Sequence, residues 1–163
     1  ERKNADLNEN FYYPSAYGVS NIISVAAIDI ENRLLSSSNW GVKKVDVAAP
    51  GDQIYSTLPG NKYGYMSGTS QATAFVSGLA SLILAKRPDL GPAQIKKLIL
   101  ATADPAQTLM GKVACGGKIN AYKALLALLG GPAHPDFLVL GPANWLRWDQ
   151  HADRLGPYAS QWD

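Results

Sequence analysis

Asn21-Ile22-Ile23-Ser24-Val25-Ala26-Ala27-Ile28 is an almost unbroken run of apolar and β-branched residues. A strand with one wet face alternates apolar and polar side chains. A run without that alternation reads as a strand covered on both faces, the pattern of a parallel sheet. Val45-Asp46-Val47-Ala48-Ala49 is a second, shorter run of the same kind, stopped by Pro50-Gly51. The pair places the chain in the α/β class. Between the two runs, Ser36-Ser37-Ser38-Asn39-Trp40-Gly41 has loop composition.

The segments after Gly51 carry different signals. Gln53–Thr57 and Lys62–Met66 flank Leu58-Pro59-Gly60-Asn61, whose turn chemistry predicts an antiparallel hairpin. Three helices are predicted beyond it. Ser70–Lys86 has apolar residues at Ala72, Phe75, Val76, Leu79, Ala80, Leu82 and Ile83, an apolar face so wide that burial on most sides is expected. Gly68-Thr69-Ser70 offers it capping chemistry, and Pro88 lies just past its end. Pro92–Thr102 has Pro92 in its first turn and turns Ile95, Leu98 and Ile99 inward. Asn120 is placed to cap Ala121–Leu129, which Gly130-Gly131 ends. Pro132–Asp163 differs in kind, with three of the four tryptophans, four of the ten prolines and no clear period. The expected division is a domain over 1–131 and a tail, or the start of another module, over 132–163.

Composition narrows the partners. Across 163 residues, 47% are hydrophobic and 17% charged, an ordinary globular balance. A net charge of +2 without any lysine or arginine run gives no support for nucleic acid or a membrane surface. Ser77–Ala85 is the most apolar stretch, but Lys86-Arg87-Pro88 closes it well short of the roughly 20 residues a membrane span needs. One cysteine, Cys115, rules out an internal disulfide or a cysteine zinc cage and reads as a small packed hydrophobe. Glu1–Asn10 is polar and loop-like, with neither an initiator methionine nor a signal peptide.

Chemistry concentrates where the hairpin meets the long helix, at Gly68-Thr69-Ser70-Gln71-Ala72. A serine hydroxyl is a poor nucleophile until a base takes its proton. A helix N-terminus answers the other half of the problem, because its unpaired N–H groups and positive dipole end can hold a developing oxyanion. Gly68 leaves room for close approach, and Thr69 offers a second hydroxyl. By itself Gly-Thr-Ser before a helix is ordinary capping.

The surroundings change that balance. Gly68-Thr69-Ser70-Gln71-Ala72-Thr73-Ala74-Phe75-Val76-Ser77-Gly78 resembles the nucleophile motif of the subtilisin-like (subtilase, S8) serine peptidases, Gly-Thr-Ser-x-Ala-x-Pro with a Val and a Gly shortly after. Tyr13-Pro14-Ser15, Ile22–Ala27, Ser38-Asn39-Trp40-Gly41, Val45–Gly51, Ile54–Thr57 and Gly116–Ala121 are similar to further segments of that family, in the family's order. The resemblance implies the C-terminal portion of the three-layer subtilisin-like fold: parallel strands, a hairpin, a buried nucleophile-bearing helix and two further helices. It implies Ser70 as the nucleophile of a serine endopeptidase, Thr69 and Ser70 as oxyanion support, and Met66, Ser67 and Gly68 at the leaving-group side of a polypeptide substrate. No metal ligand is assigned here; calcium is common in the family, as is secretion or another extracytoplasmic location.

Two departures stand out, Ala74 and Phe75 where the family has Pro and His, and Ser37 where it has a loop Phe. The family order also puts an Asp and a His ahead of the nucleophile, yet no histidine precedes Ser70. His134 and His151 fall in the tail, and nothing reads Ala-Gly-Asn, the family's oxyanion segment. Asn4, Asn8 and Asn10 match the loop that would follow it. The expectation is therefore a piece of a catalytic domain, inactive without its N-terminal half. The alternative is a catalytically dead subtilase-like scaffold or interaction module.

Overall fold

The computed structural model of the chain describes residues 4–128. Strand β1 (Val25–Ile28) pairs in parallel with β2 (Val47–Pro50), in a register that sets Val25 against Val47 and Ile28 against Pro50. β3 (Ile54–Leu58) and β4 (Lys62–Met66) form the expected antiparallel hairpin, turned by left-handed backbone at Gly60 (φ 79°) and Asn61 (φ 59°). Helices α1 (Thr69–Lys86) and α2 (Pro92–Ala101) follow. Two short strands, β5 (Asp104–Pro105) and β6 (Gly117–Lys118), then precede α3 (Ala121–Leu126). The larger sheet runs β1-β2-β6-β5, parallel except for β5.

Both faces of the central strands are covered, as the missing alternation requires. Ala27, Val47 and Ala49 pack against Ala72, Val76, Leu79 and Ile83 of α1, with Ile95 and Ile99 of α2 and Ala124 of α3 behind. Ala26, Ile28 and Ala48 point the other way, onto Leu7, Val45, Leu109 and Val113. One face is thus helical and the other is closed by loop segments. β1 is shorter than the apolar run because side chains tether the run's first half. Ser24 N donates to Asp46 Oδ2 (2.8 Å), and Lys96 Nζ reaches both Ile22 O (2.7 Å) and Asp46 Oδ1 (2.8 Å). On the edge of β1 that β2 does not use, Ala27 N donates to the fully buried Ser38 Oγ (3.0 Å), and Leu35 N donates to Ala27 O (3.0 Å).

Helix α1 corrects two expectations. It buries only the stripe Ala72, Val76, Leu79 and Ile83 rather than most of its surface. Phe75, Leu82 and Leu84 are 45%, 52% and 41% exposed, because among the described residues the sheet, α2 and α3 cover only that stripe. Its N-cap is Gly68, and no side chain caps the first turn, so Thr69 and Ser70 enter the helix with their hydroxyls unspent on capping. The helix runs unbroken through Ala74, in keeping with alanine's helix propensity.

The other helices follow their sequence signals closely. Gln94 Oε1 accepts from Gly91 N (2.8 Å) at the start of α2, and Thr102 sits just past its end with Oγ1 on Leu98 O (2.8 Å). Asn120 Oδ1 caps α3 by accepting from Lys123 N (2.8 Å). Asp104 ties this cap to β5, accepting from Asn120 Nδ2 (2.8 Å) and pairing with Lys123 Nζ (2.8 Å). Burial would raise the Asp104 carboxyl, but the bonds from Lys123 and Asn120 and the nearby Lys123 and Lys118 charges outweigh it and leave it below the ordinary carboxylate value. Leu129 and the segment 132–163 lie outside the described residues. No described helix is long and apolar enough to cross a membrane.

Candidate active site

Helix α1 begins beside the carboxyl ends of the parallel strands, where open α/β sheets generally gather their ligands. The junction is Gly51, the residue after β2. Its N–H donates to Ile28 O at the end of β1 (3.0 Å), and its carbonyl accepts from Gly68 N (2.7 Å). A Cβ on Gly51 would lie 2.6 Å from Ala27 Cβ, 2.7 Å from Gly68 O and 3.2 Å from Ala72 Cβ. Only a residue with no side chain lets sheet, N-cap and first helical turn meet here.

From that junction the predicted site residues follow in order. Met66 ends β4 and is 50% exposed, with its sulfur 3.8 Å from Gln71 Nε2. Ser67 is exposed, Gly68 and Thr69 are half-buried, and Ser70, the second residue of α1, is exposed. The first bond of the helix runs from Ala72 N to Gly68 O (3.3 Å). The N–H groups of Thr69, Ser70 and Gln71 meet no acceptor among the described residues, nor do the Thr69 and Ser70 hydroxyls have a partner there. Three N–H groups at the positive end of an 18-residue helix, with an exposed hydroxyl among them, form a local field that favours negative charge.

Ser67 is the exception among the expected substrate-facing residues. Its hydroxyl donates to Asp52 Oδ1 (2.7 Å) and accepts from Gln53 N (2.9 Å), so it is committed within the protein. Asp52, Gln53 and Gln71 are the neighbours that sequence reasoning missed. A usable signal existed. Counting outward from the hairpin turn through the Ile54–Met66 pair sets Gln53 against Ser67.

A base for Ser70 is not among the described residues, which include no histidine; His134 and His151 lie outside them. No three His, Cys, Asp or Glu side chains gather among the described residues, and the Asp46 carboxylate is already taken by Lys96 and Ser24 N.

The sequence model of the subtilase family matches residues 2–130. The chain belongs to the subtilase family. Among curated relatives, this subtilase chain is 42% identical over 114 residues to the thermophilic serine proteinase of Bacillus sp. (strain AK1), covering 70% of the chain and 27% of that protein. It is 42% identical over 113 residues to thermitase of Thermoactinomyces vulgaris, covering 69% of the chain and 38% of thermitase. The chain thus spans well under half the length of these relatives. Among solved structures, the A-subunit of the AB5 toxin from E. coli superposes with a TM-score of 0.70 at 30% identity, over 78% of this chain and 48% of that one. The prenylagaramide maturation protease PagA gives a TM-score of 0.61 at 32% identity, over 72% of this chain and 46% of PagA. The mixed α/β fold with parallel strands is that of the family.

Proposed function

We propose that this segment supplies the nucleophile and part of the oxyanion hole of a serine endopeptidase. The observation that carries the reading is Ser70 itself, exposed on the first turn of α1 beside N–H groups that no acceptor among the described residues uses. In the complete protein, Ser70 Oγ attacks the scissile carbonyl of a polypeptide while a histidine from outside this segment, oriented by an aspartate, takes its proton. Charge then builds on the former carbonyl oxygen, where the Ser70 N–H and the Thr69 hydroxyl donate to it together with an asparagine from elsewhere. Collapse releases the amine, which carries away the proton from the histidine, and leaves an acyl ester on Ser70. Water attacks that ester by the same route in reverse and frees the serine. Met66, Ser67 and Gly68 border the leaving-group side, Ser67 by its backbone because its hydroxyl is held by Asp52 and Gln53.

The partner this reading requires is the N-terminal part of a catalytic domain, which brings the acid, the base and the second oxyanion donor. Phe75 and Leu82, seven residues apart on one exposed flank of α1, support it, since large apolar side chains on a long helix gain from a further covering layer. Alone, the chain is inactive. An extracytoplasmic location is part of the same proposal and rests on family resemblance.

A fluorophosphonate probe tests the proposal. The complete protein is expected to be labelled at Ser70 and the chain of residues 1–163 to remain unlabelled. Peptide hydrolysis that persists in Ser70→Ala refutes the assignment. A folded complete protein that is never labelled speaks for the dead scaffold instead.

A further inference from the structure

We infer that Asp52 is a positioning residue for Ser70, acting through the Ser67 hydroxyl. The inference rests on the reading of Ser70 as nucleophile and adds to it a residue outside the nucleophile motif. The Ser67 hydroxyl has one proton to give and lone pairs to receive with. It gives the proton to Asp52 Oδ1 (2.7 Å) and receives Gln53 N–H (2.9 Å), which fixes the side chain in one orientation. One residue on, Gly68 N donates to Gly51 O (2.7 Å). The segment Gly51-Asp52-Gln53 therefore grips Ser67-Gly68 by three hydrogen bonds, immediately before Thr69-Ser70.

The grip is anchored at both ends. Gly51 is wedged against Ala27 of the sheet and Ala72 of α1, with no space for even one added carbon. Gln53 holds left-handed backbone (φ 50°), a conformation that a long side chain keeps only where its surroundings enforce it. Asp52 has no competing task among the described residues. It forms no ion pair there, and no acidic cluster gathers around it, so its carboxylate is committed to the Ser67 hydroxyl. Asp52 thus sets the entry of the chain into α1, and with it where Ser70 Oγ and the Ser70 N–H stand relative to a bound carbonyl.

The test uses the complete protein and four variants: Asp52→Ala, Asp52→Asn, Ser67→Ala and the double alanine variant. Rates are counted per active site titrated with a serine-directed probe, so that misfolded molecules drop out. Small displacements at a reacting centre are costly, so Asp52→Ala is expected to lower kcat by about tenfold or more with KM unchanged. Asp52→Asn keeps an oxygen acceptor and is expected to recover most of the loss. Ser67→Ala should match Asp52→Ala, and the double variant should be no worse than either, the mark of two residues in one interaction. Amide exchange over 66–72 provides a readout independent of catalysis, with faster exchange at Gly68 expected in Asp52→Ala. Unchanged kcat per site, or losses that multiply in the double variant, overturns the role. Unchanged Gly68 exchange while Ser70 still takes the probe sinks the positioning role alone. Hydrolysis that survives Ser70→Ala removes the nucleophile reading, and the positioning role with it.

Discussion

Replacing Gly51 with alanine adds one carbon at the tightest point of the site. That carbon would sit 2.6 Å from Ala27 Cβ and 2.7 Å from Gly68 O. Non-bonded carbons rest at roughly 3.5–4.0 Å, so about 0.9 Å of separation has to come from somewhere. The sheet side has little to give, because Ala27 is fully buried between β2 and α1 and its backbone is held by Ser38 and Leu35. The Gly68 carbonyl side moves more easily and carries Thr69 and Ser70 with it. Overpacking of this kind costs about 1–3 kcal/mol. At roughly 2–4 °C per kcal/mol for a domain of a few hundred residues, Tm falls by about 4–8 °C for a cost near 2 kcal/mol. A shift of this size at the nucleophile costs up to about a hundredfold in kcat. Calorimetry in the Ser70→Ala background of the complete protein keeps self-cleavage out of the melting curve, and kcat is measured separately with Ser70 present. Gly18→Ala is the control, since a Cβ there meets nothing within 4 Å. A Gly51→Ala protein with parental Tm and kcat would refute the steric argument.

Two further outcomes follow from ionisable groups. The Asp104 carboxyl titrates below its ordinary 3.8 in the folded chain, so its contribution is present above that value and is lost as pH falls through the folded value. Asp104→Asn should therefore be less stable near neutrality, with a gap in urea midpoint that closes on acidification; a gap that does not depend on pH contradicts this. Burial pushes the Cys115 thiol from 9.0 up to about 11, so near pH 8 its alkylation by iodoacetamide should run roughly a hundredfold slower than that of a free thiol. Alkylation at the rate of an unhindered cysteine would show that the thiol is not shielded.

What the sequence disclosed and what it hid divide along the range of the interactions. The runs Asn21–Ile28 and Val45–Ala49, the Pro59-Gly60-Asn61 turn and the Asn120 cap were readable because each is a local pattern with a local cause. β5 and β6 were not, since two-residue strands carry no period, and the need for glycine at 117 shows only once the Asp104 carbonyl is seen where a side chain would stand. The open side of α1 escaped for another reason. Phe75 and Leu82 widen the apolar face of the helix, but composition does not say which layer covers that flank. Asp52 was hidden by distance along the chain. Its partner lies 15 residues on, and only the register of the intervening hairpin brings the two together.

On the side of β1 that β2 does not use, the buried Ser38 hydroxyl takes the place of a strand carbonyl for Ala27 N, beside the Leu35 N–H on Ala27 O and the Ile28–Leu34 bridge. Its proton goes on to Asn39 O (3.0 Å), so both ends of that hydroxyl are in use. A protein that lost this hydroxyl would leave the Ala27 N–H buried without its acceptor, at a cost of about 1–3 kcal/mol. The loss would fall on the sheet itself, which makes Ser38 a backbone acceptor for β1 as much as a residue of its own loop.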